Sequence, residues 1–168
     1  ATRHHKRLRG GKKNDQEIRC PGNDAAWKIQ LGLRLGVESV TDALELQFNT
    51  LDGQPLTDEA AAYTLAVALR RALCEQLGIE EKEVGCMTAI GRGAGQQAVQ
   101  SIFLYDNVSG GAGYVTQAGS LLPTLLRKAR SLLNDCPAAC DAACQACLLD
   151  YQTQHNQKNL NRQKALEW

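Results

Sequence analysis

No apolar run in these 168 residues approaches the roughly 20 needed to cross a bilayer, so no membrane-spanning helix is expected. Positive and negative charge nearly cancel, with a formal net of +1, so the chain as a whole lacks the basic footprint of a dedicated nucleic-acid binder. No Gly-rich loop is followed by the Lys-Ser/Thr of a P-loop, which excludes that route to a nucleotide site. Aromatic residues are few, at 5%, and no internal repeat is present. What remains is 43% apolar and 22% charged, an ordinary composition for one globular domain long enough to bury a core.

Charge is nonetheless uneven. Arg3, Lys6, Arg7, Arg9, Lys12 and Lys13, with His4 and His5, open the chain without an acid among them. The plainer reading of residues 1–24 is a solvated arm or linker, and the sharper one is an arm contacting phosphates, whose affinity would fall steeply with salt. A chain that begins with Ala and enters this stretch directly is expected to be a piece of a longer polypeptide.

Seven cysteines are the other asymmetry, because four of them, Cys136, Cys140, Cys144 and Cys147, fall together in a C-x3-C-x3-C-x2-C pattern. Buried cysteines usually occur singly, as small apolar residues. A cluster this tight is ligand spacing, most simply for a structural tetrahedral Zn²⁺. Four thiolates would leave no position open for water or substrate. Disulfides fit worse: the number is odd, no secretory signal is recognisable, and Cys74 and Cys86 lie in apolar segments suited to reduced thiols. An iron–sulfur cluster uses the same ligands and stays open as the alternative. The triplet Cys140, Cys144, Cys147 also has the spacing of radical S-adenosylmethionine enzymes, but too little chain follows it for their barrel. Cys20 stands alone, and His155 is not needed as a ligand beside four thiols.

Apolar residues alternate at Trp27, Ile29, Leu31, Leu33 and Leu35, then at Val37 and Val40, then at Leu44, Leu46 and Phe48, which predicts two strands with a break near 38–41. Thr57 is placed to cap a helix with Asp58 and Glu59 in its first turn, and Gly78 to end it. Ala62, Leu65, Ala66, Leu69, Leu73 and Leu77 fall on one face, with Arg70, Arg71 and Glu75 nearer the other. Strands over 84–90 and 98–105 flank Gly91, Gly93 and Gly95 as a hairpin. A helix marked by Leu122, Leu125, Leu126, Ala129, Leu132 and Leu133 leads to Cys136, and a final helix is expected within 148–168. The class is α+β (mixed α/β), a largely antiparallel sheet with packed helices and a C-terminal four-cysteine metal knot. Residues 25–168 are expected to be a single domain.

Two glycine-rich stretches invite an anion-binding reading. Gly91-x-Gly93-x-Gly95 precedes a strand rather than a helix, so a hairpin tip is the better answer, with Arg92 able to touch phosphate. The second runs Tyr105, Asp106, Asn107, Val108, Ser109, Gly110, Gly111, Ala112, Gly113. Amides of Gly110, Gly111 and Gly113 could form an anion nest. Asp106 at a strand end resembles a catalytic carboxylate, yet no His or second acid lies at motif spacing. A tight crossover capped by Asp106 is therefore the favoured reading.

The stretch from Leu104 to Tyr114, the leucine-rich helix, the cysteine knot, and the residues from Cys147 to His155 and from Leu160 to Leu166 together resemble one family. It is the C-terminal cysteine-cluster domain of MrfA-type DEAD/DEAH helicases, a domain that also occurs in DrmB of DISARM and in the helicase of Druantia defence. The likeness covers about residues 27–166. It implies a zinc-bearing accessory domain beside an ATP-driven DNA motor, in a bacterial, cytoplasmic setting of phage defence or DNA repair. The knot cysteines match the family's metal ligands, and Tyr105, Asp106, Gly110, Gly111 and Gly113 match its signature turn. Ser109 departs from the family pattern, in which proline is frequent. The implied partners are DNA, reached through Arg92, Lys158, Arg162 and Lys164, and the motor or a partner subunit. No catalytic residue is expected in this segment. A docking module without DNA contact is the alternative.

Overall fold

Branched and aromatic residues give β3 (Ala98–Asp106) its extended form, and it becomes the middle of a three-stranded antiparallel sheet. Its neighbours are β1 (Ala43–Gln47) and β2 (Val84–Arg92), in the order β1–β3–β2. A computed structural model describes residues 36–168, of which Ser39–Trp168 form one compact unit. The expected strand at Trp27–Leu35, the basic arm and Cys20 lie outside the described residues. The mixed α+β class and the antiparallel hairpin are as the sequence predicts.

Register places Leu44 opposite Leu104, Leu46 opposite Ile102, and Cys86 opposite Leu104, so one sheet face is apolar and covered by helix α1 (Glu59–Leu77). On the other face Gly85 lies opposite Tyr105, where a methyl group would overlap the tyrosine ring. The hairpin strand β2 extends to Arg92, two residues past expectation, and turns through Gly93–Gln97 with Gln96 in the left-handed region.

Helix α1 begins one residue later than predicted. Asp58, not Thr57, is its cap, accepting from the Ala61 N–H at 2.9 Å, while Gly78 closes it at a φ of 67°. Asp58 is the stronger choice because its carboxylate also suits the positive end of the helix. α1 is buried around most of its girth, including Ala61, Thr64, Val67, Ala68 and Ala72, and so is Arg70 at 1% exposure. Helix α2 (Tyr114–Asn134) packs on it through Val115, Ala118, Leu125, Ala129 and Leu133. The final segment includes the expected helix only near its end. It is a run of turns and 3₁₀ structure over Gln154–Asn159, then a five-residue helix, α3 (Arg162–Leu166), capped by Asn161. Leu148, Leu160 and Ala165 tuck this segment against the core.

Candidate metal centre

The knot starts where α2 ends. Pro137 takes the second position of a tight turn that the Ala139 N–H closes onto the Cys136 carbonyl at 2.9 Å. Ala139 itself sits at a φ of 46°. A second turn brings the N–H groups of Cys147, Leu148 and Leu149 to the Cys144 carbonyl at 3.0–3.1 Å. These two turns draw the four sulfurs within 4.8 Å of one another. Four separations are 3.6–3.7 Å: Cys136–Cys140, Cys136–Cys144, Cys140–Cys147 and Cys144–Cys147. Ligands on a tetrahedron of about 2.3 Å radius lie about 3.8 Å apart, so the sulfurs fit one ion of the zinc type. His155 is not in the cluster.

Protonation follows from the crowding. The backbone N–H of Cys140 beside the Cys136 sulfur draws that thiol down to about 6. Burial, then the neighbouring sulfurs, push Cys140 up to about 12, and burial raises Cys147. A cation is what would let all four ionise together. Cys74 and Cys86 lie apart from the cluster, and burial pushes each thiol up to about 11, which suits inert reduced residues.

Arginines grip the knot from outside. Arg71 of α1 donates to the Cys147 carbonyl and, through Nε, to Glu81 at 3.0 Å. Arg70 next to it is buried with Glu81 and Asp150 as ion-pair partners and Gln152 as acceptor, while its Nε has no partner among the described residues. Asp150 is held in turn by the N–H groups of Gln152 and Thr153, both at 2.7 Å. Sequence reasoning missed this network, although Arg70 falls at helical spacing with Ala66, Leu73 and Leu77, squarely on the apolar stripe.

The sequence-predicted phosphate contacts separate. Lys158 and Lys164 share a shallow groove with His155, Gln154, Gln157 and Asn161. Lys158 is exposed, and Lys164 pairs with Asp58 at 2.7 Å. Arg92 is exposed at the hairpin tip, outside that groove. Arg162 is 8% exposed, and its guanidinium is directed inward onto backbone carbonyls, so this orientation leaves it no path to a phosphate.

The signature turn fills its own nest. Asp106 is buried, and its carboxylate accepts from the N–H groups of Ala112 at 2.7 Å, Tyr114 at 3.1 Å and Val115 at 3.1 Å. Gly110 donates instead to the Val40 carbonyl, and Gly111 to that of Val108. Gly111, at a φ of 80°, lies so close to the Asp42 carboxylate that a side chain there would overlap it. Asp106 thus ties the end of β3 to the start of α2, where a negative charge suits the helix dipole.

An α+β domain closed by a four-thiol metal knot is the class that fold and site define. The MrfA Zn-binding domain model matches residues 65–148, and the chain belongs to that family. It is 36% identical over 142 aligned residues to the Druantia protein DruE of Escherichia coli (strain UMEA 4076-1), covering 76% of this chain and 8% of DruE. Its fold is similar to the DUF1998 helicase MrfA in a crystal structure bound to DNA and AMPPNP, with a TM-score of 0.53 and 18% identity over 75% of this chain and 15% of that one. A second MrfA structure, bound to DNA, gives a TM-score of 0.51 and 20% identity over 74% of this chain and 16% of that one. The chain thus spans a small part of the relatives it matches.

Proposed function

We propose that this is the zinc-bearing accessory domain of a bacterial, cytoplasmic ATP-dependent DNA helicase system in phage defence or DNA repair. It helps engage DNA and assembles with the motor. Cys136, Cys140, Cys144 and Cys147 hold the zinc, and the observation carrying this is the set of sulfur separations at 3.6–3.7 Å. Those distances favour one ion over a multi-iron cluster, whose ligand sulfurs sit on different irons and therefore farther apart. Elemental analysis of protein purified without added metal decides the matter. About one zinc per chain and a colourless sample is expected, whereas iron with sulfide would overturn the reading.

DNA engagement is assigned to Lys158 and Lys164 in their groove, with Arg92 as a separate contact and the basic arm as a further one. Anisotropy titrations with labelled single- and double-stranded DNA across a salt series test this. Lys158→Glu with Lys164→Glu should weaken binding and flatten the salt slope by about two counterions' worth. An unchanged slope would remove the groove from the interface.

One observation favours the docking alternative. Phe48, Leu51, Leu126, Leu166 and Trp168 line an open apolar groove of about 590 Å³ between α1, α2 and the chain end. If the domain only docks, Leu126→Asp abolishes co-purification with the motor while no DNA affinity is measurable in the first place.

A further inference from the structure

The residue that best explains itself outside DNA binding is Arg162. It opens α3, and its guanidinium donates from Nε to the Cys140 carbonyl at 2.5 Å. From Nη1 it reaches the carbonyls of Leu133 at 2.6 Å and Asn134 at 3.2 Å. Those two residues are the last of α2, where carbonyls have no partner within the helix and a cation meets the negative end of the dipole. Its own backbone N–H binds the Ala142 carbonyl at 2.9 Å, inside the knot. One side chain therefore pins the helix entering the knot, a residue within it, and the segment leaving it.

Charge gives this a second meaning. Four thiolates around a divalent cation carry a net charge of −2, an excess that nearby positive charge offsets at a half-buried site. Arg71 also touches a knot carbonyl, but it shares Glu81 with Arg70, and Arg70 is further paired with Asp150. Two cations and two carboxylates there cancel. Arg162 differs, since among the described residues its three side-chain bonds are all to backbone carbonyls and none is to a carboxylate.

We propose that Arg162 is a positioning residue of the metal knot, fixing Cys140 and offsetting excess thiolate charge, so that it governs how long zinc is retained. This rests on the zinc reading above. The test uses the whole chain as wild type, Arg162→Lys and Arg162→Met, each mixed with excess chromogenic chelator to follow zinc release. Groups that orient metal ligands typically contribute about 10–100-fold in metal affinity, so release from the Met variant is expected to be about tenfold faster or more. Lys, which keeps the charge but loses the fork, should fall between. Should the Met variant not fold, the Lys variant alone decides, and release at the wild-type rate overturns the proposal. Equally, unchanged zinc release with a DNA salt slope reduced by about one would make Arg162 a phosphate contact and refute it. A wild-type protein that purifies without zinc fails the reading beneath, a result separate from any difference among the variants.

Discussion

The sheet with α1 and α2 and the segment from Cys136 to Trp168 are built on different principles. In the first, Leu65, Leu69, Leu73, Ile102, Leu104, Leu125 and Leu133 are buried, and regular hydrogen bonding satisfies the backbone. In the second, no element exceeds six residues, and few apolar side chains are buried. Order there comes from sulfurs, from Asp150 and Thr153 binding nearby backbone, and from arginines on carbonyls. A chain can thus fold a segment with little apolar surface if point interactions replace burial. The segment then depends on a few atoms, where the core depends on many.

Removing metal should separate the two most sharply. Structural zinc contributes about 10–16 kcal/mol in small zinc peptides, far more than any side chain here. Under a strong chelator, amide exchange over 136–161 should rise toward unprotected rates while β2 and β3 keep most of their protection. Cys147→Ser should act alike. Uniform loss of protection over the whole domain would instead show that the core cannot stand without the knot.

The join between the regions is the next target. Arg70→Met leaves Asp150 and Glu81 without their shared cation, and breaking a buried pair from one side costs about 3–5 kcal/mol. Glu81 is 35% exposed, so the lower part of that range is expected by urea unfolding. Adding Asp150→Asn should recover part of the loss. If the double variant is no better than the single, the arginine acts by packing and not by charge.

How legible each region is in the sequence follows from the same contrast. Alternation in 43–48 and the leucine spacing of both helices announce elements because burial is periodic, whereas β3 is buried at four successive positions, Val99 to Ile102, and is legible through the glycine turn it follows. The four cysteines also announce themselves by spacing. Point interactions have no period. The sequence puts Arg70 nearer the polar face although it shares a stripe with Ala66 and Leu73, because a charge is assumed to lie outside until its partners are known. Those partners, Asp150 and Gln152, lie 80 and 82 residues away in the chain. Arg162 is legible only as a basic residue, and its carbonyl partners carry no side-chain signal.

Asp106 tests whether the core has a point dependence of its own. Asn at this position keeps one acceptor but turns an amide toward N–H groups that need an oxygen. It also removes the negative charge at the start of α2. A loss of about 1–2 kcal/mol is expected in denaturant titration. If the chain serves a helicase as proposed, the helicase's activity should fall only in proportion to folded protein. Abolished activity with stability intact would revive the catalytic reading.

The smallest effect lies at the surface link between the regions, where Lys164 of α3 meets the α1 cap. Asp58 divides its carboxylate, one oxygen taking the Ala61 N–H and the other Lys164 at 2.7 Å. Lys164, then that N–H, holds the Asp58 carboxyl below its ordinary value. A carboxyl depressed in the folded state contributes stability that is present above the unfolded value near about 4 and lost as pH falls through the folded one. Both partners are well exposed, at 48% and 39%, so Lys164→Gln should cost only about 0.2–1 kcal/mol at neutral pH. The difference between variant and wild type should shrink as pH falls below about 4, because the cap then loses its charge in both proteins. High salt should shrink it too. A gap that persists in acid and in salt would mean that the lysine stem, not its charge, holds α3 to α1.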